Sequence, residues 1–324
     1  MSEDYLLIVE GLKKYFPVNG GFLNRKSVLV KAVDGVDLKV KKGETYGLVG
    51  ESGCGKTTLG RCILRLDEPT EGRVFFDGHD ILAYDRRAMR ELRRHMQIIF
   101  QDPYSSLDPR KTVGQIIGEA FRVHKILSKE ERRARLDELM GVVGLRPEQI
   151  QGYPHEFSGG QRQRICVARA LALNPKLVIA DEPVSALDVS IQAQILNLLV
   201  ELQHRYALTY IFISHDLSVV RHICDRVAVM YLGRIVELGD QQQLYSRPLH
   251  PYTKALLSAV PVANPLKKKE AVRLEGDVPS PINPPSGCTF HPRCECRKEV
   301  CVREAPSMEE IERRHWAACH FPKS

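Results

Sequence analysis

The sequence predicts an α/β fold in which a parallel-sheet core follows an antiparallel β lobe, carries a helical subdomain and ends in a small cysteine-rich extension. Three observations carry this expectation. The apolar run Tyr46 to Val49 leads into the glycine-rich segment Gly50 to Thr57 and then into helix-forming Thr58 to Leu66. A second apolar run, Leu177 to Ala180, ends in the acid pair Asp181-Glu182, the pattern of a buried parallel strand whose C-terminal end faces a ligand. The chain of 324 residues is 43% hydrophobic, enough for one sizeable α/β domain with appendages.

The elements follow in order. Leu6 to Leu12, Val28 to Lys31, Val36 to Val40 and Thr45 to Val49 read as short strands separated by polar and glycine turns. Gly50-Glu51-Ser52-Gly53-Cys54-Gly55-Lys56-Thr57 fits G-x-x-x-x-G-K-[ST] in the strand, loop, helix context that this motif requires. Glycines at 50, 53 and 55 let backbone N–H groups turn inward around phosphate oxygens at a helix N-terminus. Lys56 is placed to reach terminal phosphates and Thr57 to hold Mg2+, with Ser52, Cys54 and Thr58 completing the phosphate-binding stretch. Between Thr112 and Gly144 the spacing of Val113, Ile116, Ile117, Ala120 and Phe121 is helical. The parallel core then resumes, with strands ending near Ala180, Ser214 and Met230. Asp181 suits Mg2+, and Glu182 suits a water-polarising base; read alone, the pair fits a solvent-facing turn equally well.

With these pieces in sequence, Phe157-Ser158-Gly159-Gly160-Gln161 resembles the signature motif of ABC-type ATPases. The implied fold class is a P-loop NTPase of ABC type. Ser158, Gly159 and Gly160 would open a helix running from Gln161 to Leu173, presenting N–H groups at its positive end. In the family, that helix end caps the γ-phosphate of ATP held by a second ATPase subunit, so one chain carries two half-sites. The resemblance also gives Gln101 as the residue sensing Mg2+ and γ-phosphate. It gives Ser185 to Asp188 as the loop crossing the dimer interface, His215 as the switch histidine and Tyr15 as the adenine-stacking aromatic. Asp102 to Arg110, turn-rich after Gln101, matches the groove that receives a short helix of a transmembrane permease. The implied division is an ATPase domain over 1–249, with its helical subdomain at about 102–165, and an extension over 250–324.

Nine cysteines are present, and Cys288, Cys294, Cys296, Cys301 and Cys319 crowd the end of the chain. In the cytosol such a cluster points to metal before disulfides. Cys288, Cys294, Cys301 and Cys319 are separated by five, six and seventeen residues, without the paired C-x-x-C of common zinc modules. That spacing resembles the C-terminal extension of oligopeptide and dipeptide importer ATPases, where four cysteines hold a [4Fe-4S] cluster; Cys296 would be spare. Four thiolates also suit zinc, and free thiols are the third reading. His291, His315 and His320 are available as substitute ligands, with surface positions their default. Cys54, Cys62, Cys166 and Cys224 fall in core elements. Pro279 to Pro285 reads as an extended, semi-rigid arm.

Taken together, the resemblance implies an ATP-hydrolysing subunit of an oligopeptide or dipeptide ABC importer. Its implied partners are a second ATPase subunit, in a homo- or heterodimer, two permease subunits and, indirectly, an extracytoplasmic peptide-binding protein. Nickel or an antimicrobial peptide as cargo, or a soluble non-transport ABC protein, are the alternative readings. Composition narrows the field further. A net charge of +7 comes from basic residues scattered among acids, as in Arg86-Arg87, Arg93-Arg94, Arg132-Arg133 and Lys267-Lys268-Lys269, and aromatics are only 7% of residues. Solvated helix faces and anionic headgroups account for this better than nucleic acid. No apolar run is long enough to span a bilayer, and Met1 to Asp4 is acidic, unlike a signal peptide, so the expected location is peripheral on the cytoplasmic face of the membrane.

Overall fold

A computed structural model describes residues 5–18, 28–260 and 276–322. The acidic start Met1 to Asp4 and the run Lys267 to Lys269 lie outside the described residues. The chain divides into two compact units, one of residues 1–40, 45–82 and 214–324, the other of residues 41–44 and 83–213.

In the first unit, the strand Thr45–Val49 is buried at every residue, as its unbroken apolar pattern requires. It pairs in parallel with Arg226–Tyr231, which pairs antiparallel with Arg234–Asp240. His315–Ala317 and Glu309–Glu312, from the chain's last segment, extend this sheet beyond Arg234–Asp240. The antiparallel lobe has the strand order Val28–Lys41, Tyr5–Val18, Glu71–Phe76, His79–Asp80. Here the structure differs from the sequence reading, because Asp34-Gly35 does not end a strand. Gly35 takes φ 77° inside a continuous Val28–Lys41, and the Asp34 N–H donates to the Gly233 carbonyl at 2.9 Å. A glycine bends the strand without the strain that a side chain would meet there. The proline arm forms neither helix nor strand, and its Pro281 carbonyl accepts from Lys31 N–H at 3.1 Å.

The second unit holds the parallel strands Met96–Ile99 and Leu177–Asp181 and all but the last residue of Thr209–Ser214, in register Ile99 to Ala180 and Ala180 to Phe212. The stretch read as helical after Thr112 is two helices, Val113–His124 and Lys129–Val142. Left-handed Lys125 and Leu127, at φ 51° and 66°, break it, and Ser128 restarts it with a reciprocal cap to Glu131. The helix after Ser158 runs Gly159–Leu171 and not Gln161 to Leu173. Ser158 is its cap: the Gln161 N–H donates to Ser158 Oγ, and the Ser158 N–H donates to the Gln161 amide oxygen. Both glycines therefore lie within the first helical turn.

Fully buried Glu237 ties the extension to the sheet. Its carboxylate accepts the N–H groups of Leu249 at 2.9 Å and His250 at 2.8 Å, and pairs with His315 Nε2 at 2.8 Å. His315 is thus a structural partner of Glu237, which corrects its surface reading. Removing a buried carboxylate leaves all three donors unsatisfied. Glu237→Ala is expected to lose about 3–5 kcal/mol of stability in chemical denaturation, and Glu237→Gln, which retains one acceptor, less.

Candidate functional site

In the first unit, Gly50 and Gly55 fix the shape of the phosphate loop. A Cβ on Gly50, at φ 152°, would meet the Met230 carbonyl oxygen at 2.2 Å; one on Gly55, at φ 108°, would meet the Ala32 carbonyl oxygen at 2.0 Å. No other residue type fits either place without moving backbone. The Lys56 side chain folds over this loop, and its Nζ donates to the carbonyls of Gly50 at 2.8 Å and Glu51 at 3.0 Å. That arrangement holds a buried ammonium at the mouth of the helix Lys56–Ile63, beside exposed Ser52, Gly53 and Thr57. Cys54 points inward and burial pushes its thiol up, so its side chain packs while its backbone forms the loop.

Tyr15 lies on the strand Tyr5–Val18, and its hydroxyl donates to Asp34, which also takes Arg234 Nη2 at 2.7 Å. Burial first, then the Asp34 carboxylate, pushes the Tyr15 hydroxyl up to about 12, so it stays protonated. His215 follows the strand Thr209–Ser214 and is exposed, inside the turn in which Asp216 N–H donates to Ser214 Oγ at 3.0 Å.

In the second unit, the structure brings Gln101 to Glu182: the amide Nε2 donates to Glu182 Oε2 at 2.9 Å. Asp181 is buried at the end of its strand, 4% exposed, whereas Glu182 turns out of the strand at φ 46° and its N–H donates to the Ile213 carbonyl at 3.0 Å. A non-glycine residue in that conformation is strained, and the hydrogen bonds on both its backbone and its carboxylate hold it there. Ser185 Oγ donates to the Glu182 carbonyl at 3.1 Å, closing the turn into Ser185 to Asp188. Gly159 and Gly160 lie against this same region. A Cβ on Gly160 would stand 2.5 Å from Ile191 Cγ2, and one on Gly159 would stand 3.5 Å from Leu187 Cδ2. Beside the signature helix, Asp102 caps Pro103–Ser106, and Arg162 stacks 3.9 Å from the ring centre of Tyr104, which is 67% exposed.

All five late cysteines, including Cys296, line one small cavity with Phe290, His291, His320 and Phe321. Cys288 N–H donates to the Cys301 carbonyl at 2.8 Å, which joins the two ends of the segment. Burial pushes the Cys294 thiol up to about 11 and raises those of Cys288 and Cys319. Among the described residues, no group of three or more His, Cys, Asp or Glu stands ready-made to hold a metal ion. His291 and His320 bond backbone carbonyls, of Cys288 and Glu304, both at 2.9 Å. As read from sequence, Cys54, Cys62, Cys166 and Cys224 are buried.

A family model described as ABC transporter matches residues 33–185. The oligopeptide transport ATP-binding protein AppF of Bacillus subtilis is 54% identical, over 99% of this chain and 98% of that protein. The chain belongs to the ATP-binding proteins of ABC transporters. A second model, oligopeptide/dipeptide transporter C-terminal region, matches residues 236–301 of this ABC ATPase. The dipeptide transport ATP-binding protein DppF of Haemophilus influenzae is 52% identical, over 94% of this chain and 93% of that protein. Among solved structures, cbiO1 of Clostridium perfringens, part of the ABC transporter complex cbiONQ, is 32% identical with a TM-score of 0.64, over 75% of this chain and 92% of that one. A dimeric ATP-binding cassette bound to ADP and Pi in a post-hydrolysis state is 30% identical with a TM-score of 0.63, over 72% of this chain and 98% of that one. The ABC family hydrolyses ATP, works as dimers of cassettes and associates with transmembrane permeases. No helix among the described residues is long and apolar enough to cross a membrane.

Nothing in the sequence links Glu51 to Arg293 or Tyr252, which the fold sets against the phosphate loop across gaps of 242 and 201 residues. The close approach at Gly160 supplies a test of the signature helix. Gly160→Ala is expected to cost about 1–3 kcal/mol by overpacking, and Gly160→Ala combined with Ile191→Ala should recover part of that loss in denaturant titrations.

Proposed function

We propose that this ATPase powers import of oligopeptides or dipeptides from the cytoplasmic face of the membrane, with Glu182 as the residue that orients the attacking water. The hydrogen bond from Gln101 to Glu182 carries the reading, since it aims a carboxylate from the end of a buried strand. The backbone of Gly50, Ser52, Gly53, Cys54 and Gly55 cradles the phosphates at the start of the helix that holds Thr58. Lys56 neutralises their terminal charge, and Thr57 and Asp181 hold Mg2+, which supplies Lewis-acid polarisation when bound. His215 contacts the γ-phosphate side, and Tyr15 offers its ring to adenine. Ser158, Gly159, Gly160 and Gln161 serve the ATP of a second cassette, because a helix N-terminus with free N–H groups favours anionic oxygens.

Functionally, 1–249 is the ATPase domain, with 102–165 as its helical part, and 250–324 is the extension. The exposed Tyr104 loop is the surface offered to a permease. Peptide cargo is supported by similarity to AppF and DppF along almost the whole chain. An extracytoplasmic peptide-binding protein would deliver that cargo to two permeases, with nothing required of nucleic acid.

For the extension, Cys288, Cys294, Cys301 and Cys319 are proposed to hold a [4Fe-4S] cluster. Support comes from the convergence of five thiols on one cavity walled by Phe290 and Phe321. Among the described residues, no group stands ready-made to hold a metal ion. Binding must then displace protons and draw the thiolates together. Anaerobic purification is expected to give a brown protein with about four iron and four sulfide per chain; a colourless, iron-free protein carrying stoichiometric zinc would sink this assignment. Glu182→Gln is expected to abolish ATP turnover while nucleotide binding persists, checked by phosphate release alongside equilibrium binding. Ser158→Arg should likewise bind nucleotide yet stop hydrolysis, and undiminished turnover would argue against a shared site.

A further inference from the structure

An acidic residue at the second position of a phosphate loop sets negative charge beside a site for phosphate oxygens. In this protein, Glu51 is met by Arg293 in a bidentate pair, Nη1 to Oε2 at 2.8 Å and Nη2 to Oε1 at 3.1 Å. The Arg293 side chain is only 7% exposed and that of Glu51 26%, so water screens the pair weakly. Fork-to-fork geometry fixes direction as well as charge, which a lysine cannot do. The backbone of Glu51 is held from two further sides. Its N–H donates to the Tyr252 hydroxyl at 2.9 Å, and its carbonyl accepts from Lys56 Nζ at 3.0 Å. Tyr252 in turn packs against Tyr231 and Phe290, with ring centres 4.7 and 5.4 Å apart. Phe290 and Arg293 belong to the turn that reaches Cys294, so this contact joins the cysteine extension to the loop.

We infer that Arg293 is a positioning residue of the ATP site: it offsets the charge of Glu51 and holds the loop in its phosphate-binding shape, which makes the C-terminal extension part of nucleotide binding. The inference rests on the assignment of Gly50 to Thr57 as the phosphate loop. Without Arg293, the Glu51 carboxylate would repel the triphosphate and Glu51 would lose one of its three anchors. A staple that merely stabilised the fold would change the melting temperature and leave nucleotide affinity alone.

The test is equilibrium binding of a fluorescent trinitrophenyl-ATP to the full-length chain, with thermal melts alongside. Arg293→Gln is expected to weaken binding on the order of tenfold, about 1.4 kcal/mol. Combining it with Glu51→Gln should restore affinity to within about threefold of wild type, since the unpaired carboxylate is gone. Arg293→Lys, which keeps charge but not the fork, should fall between wild type and Arg293→Gln. Unchanged affinity in Arg293→Gln, or a double variant whose loss is the product of the two single losses, overturns the inference. If Arg293→Gln does not fold, wild-type affinity in Arg293→Lys overturns it instead. Lys56→Ala separates the underlying assignment: full binding by that variant would mean that the phosphate loop itself is misassigned.

Discussion

Burial of both faces of the parallel strands is the constraint from which the functional geometry follows. Thr45–Val49 and Leu177–Asp181 are buried at every residue, and neither strand carries a charged side chain before its last residue. Polar chemistry is released only where each strand ends. At one end the chain turns through Gly50 under the Met230 carbonyl and starts a helix at Lys56. At the other, Asp181 remains buried while Glu182 twists into left-handed backbone and meets Gln101. The same rule thus yields a glycine loop ahead of a helix in one unit and a positioned carboxylate in the other.

Close approach of backbone explains why glycine recurs at functional places. Gly55 passes the Ala32 carbonyl, and Gly160 passes Ile191, each at a distance that excludes a Cβ. In the first case the close approach fixes the turn that enters the helix at Lys56. In the second it gives a helix N-terminus packed against the segment Ser185 to Asp188, capped reciprocally by Ser158 and Gln161. Because that cap occupies the Ser158 hydroxyl oxygen with the Gln161 N–H, the first-turn N–H groups of Gly159 and Gly160 are the natural donors for an anion.

The extension is held by charge as well as by apolar packing. Glu237 gathers Leu249, His250 and His315 inside the first unit, and Arg293 reaches Glu51. These contacts bring residues far apart in sequence onto one strand and one loop. Removing one partner of a buried pair leaves the other uncompensated, so such contacts hold one arrangement. That suits a segment whose service is to keep a loop in place, and the aromatic trio Tyr231, Tyr252 and Phe290 supplies the apolar part of the same junction.

By itself the sequence determined the local chemistry: the glycine-rich loop before Lys56, the apolar strand before Asp181, the Ser-Gly-Gly-Gln helix start and the cysteine spacing. These are legible because each is a short stretch whose meaning depends on backbone conformation and neighbouring residues. Strand and helix limits were less so. Gly35 reads as a turn until its ladder partners are known, and the Ser158 cap starts the signature helix two residues earlier than the expected Gln161. Tertiary structure alone decided that His315 serves Glu237, that Cys296 shares a cavity with the other four cysteines, and that Arg293 grips Glu51. Pairings across 78 or 242 residues depend on where the folded backbone brings two side chains, and no local pattern encodes that distance.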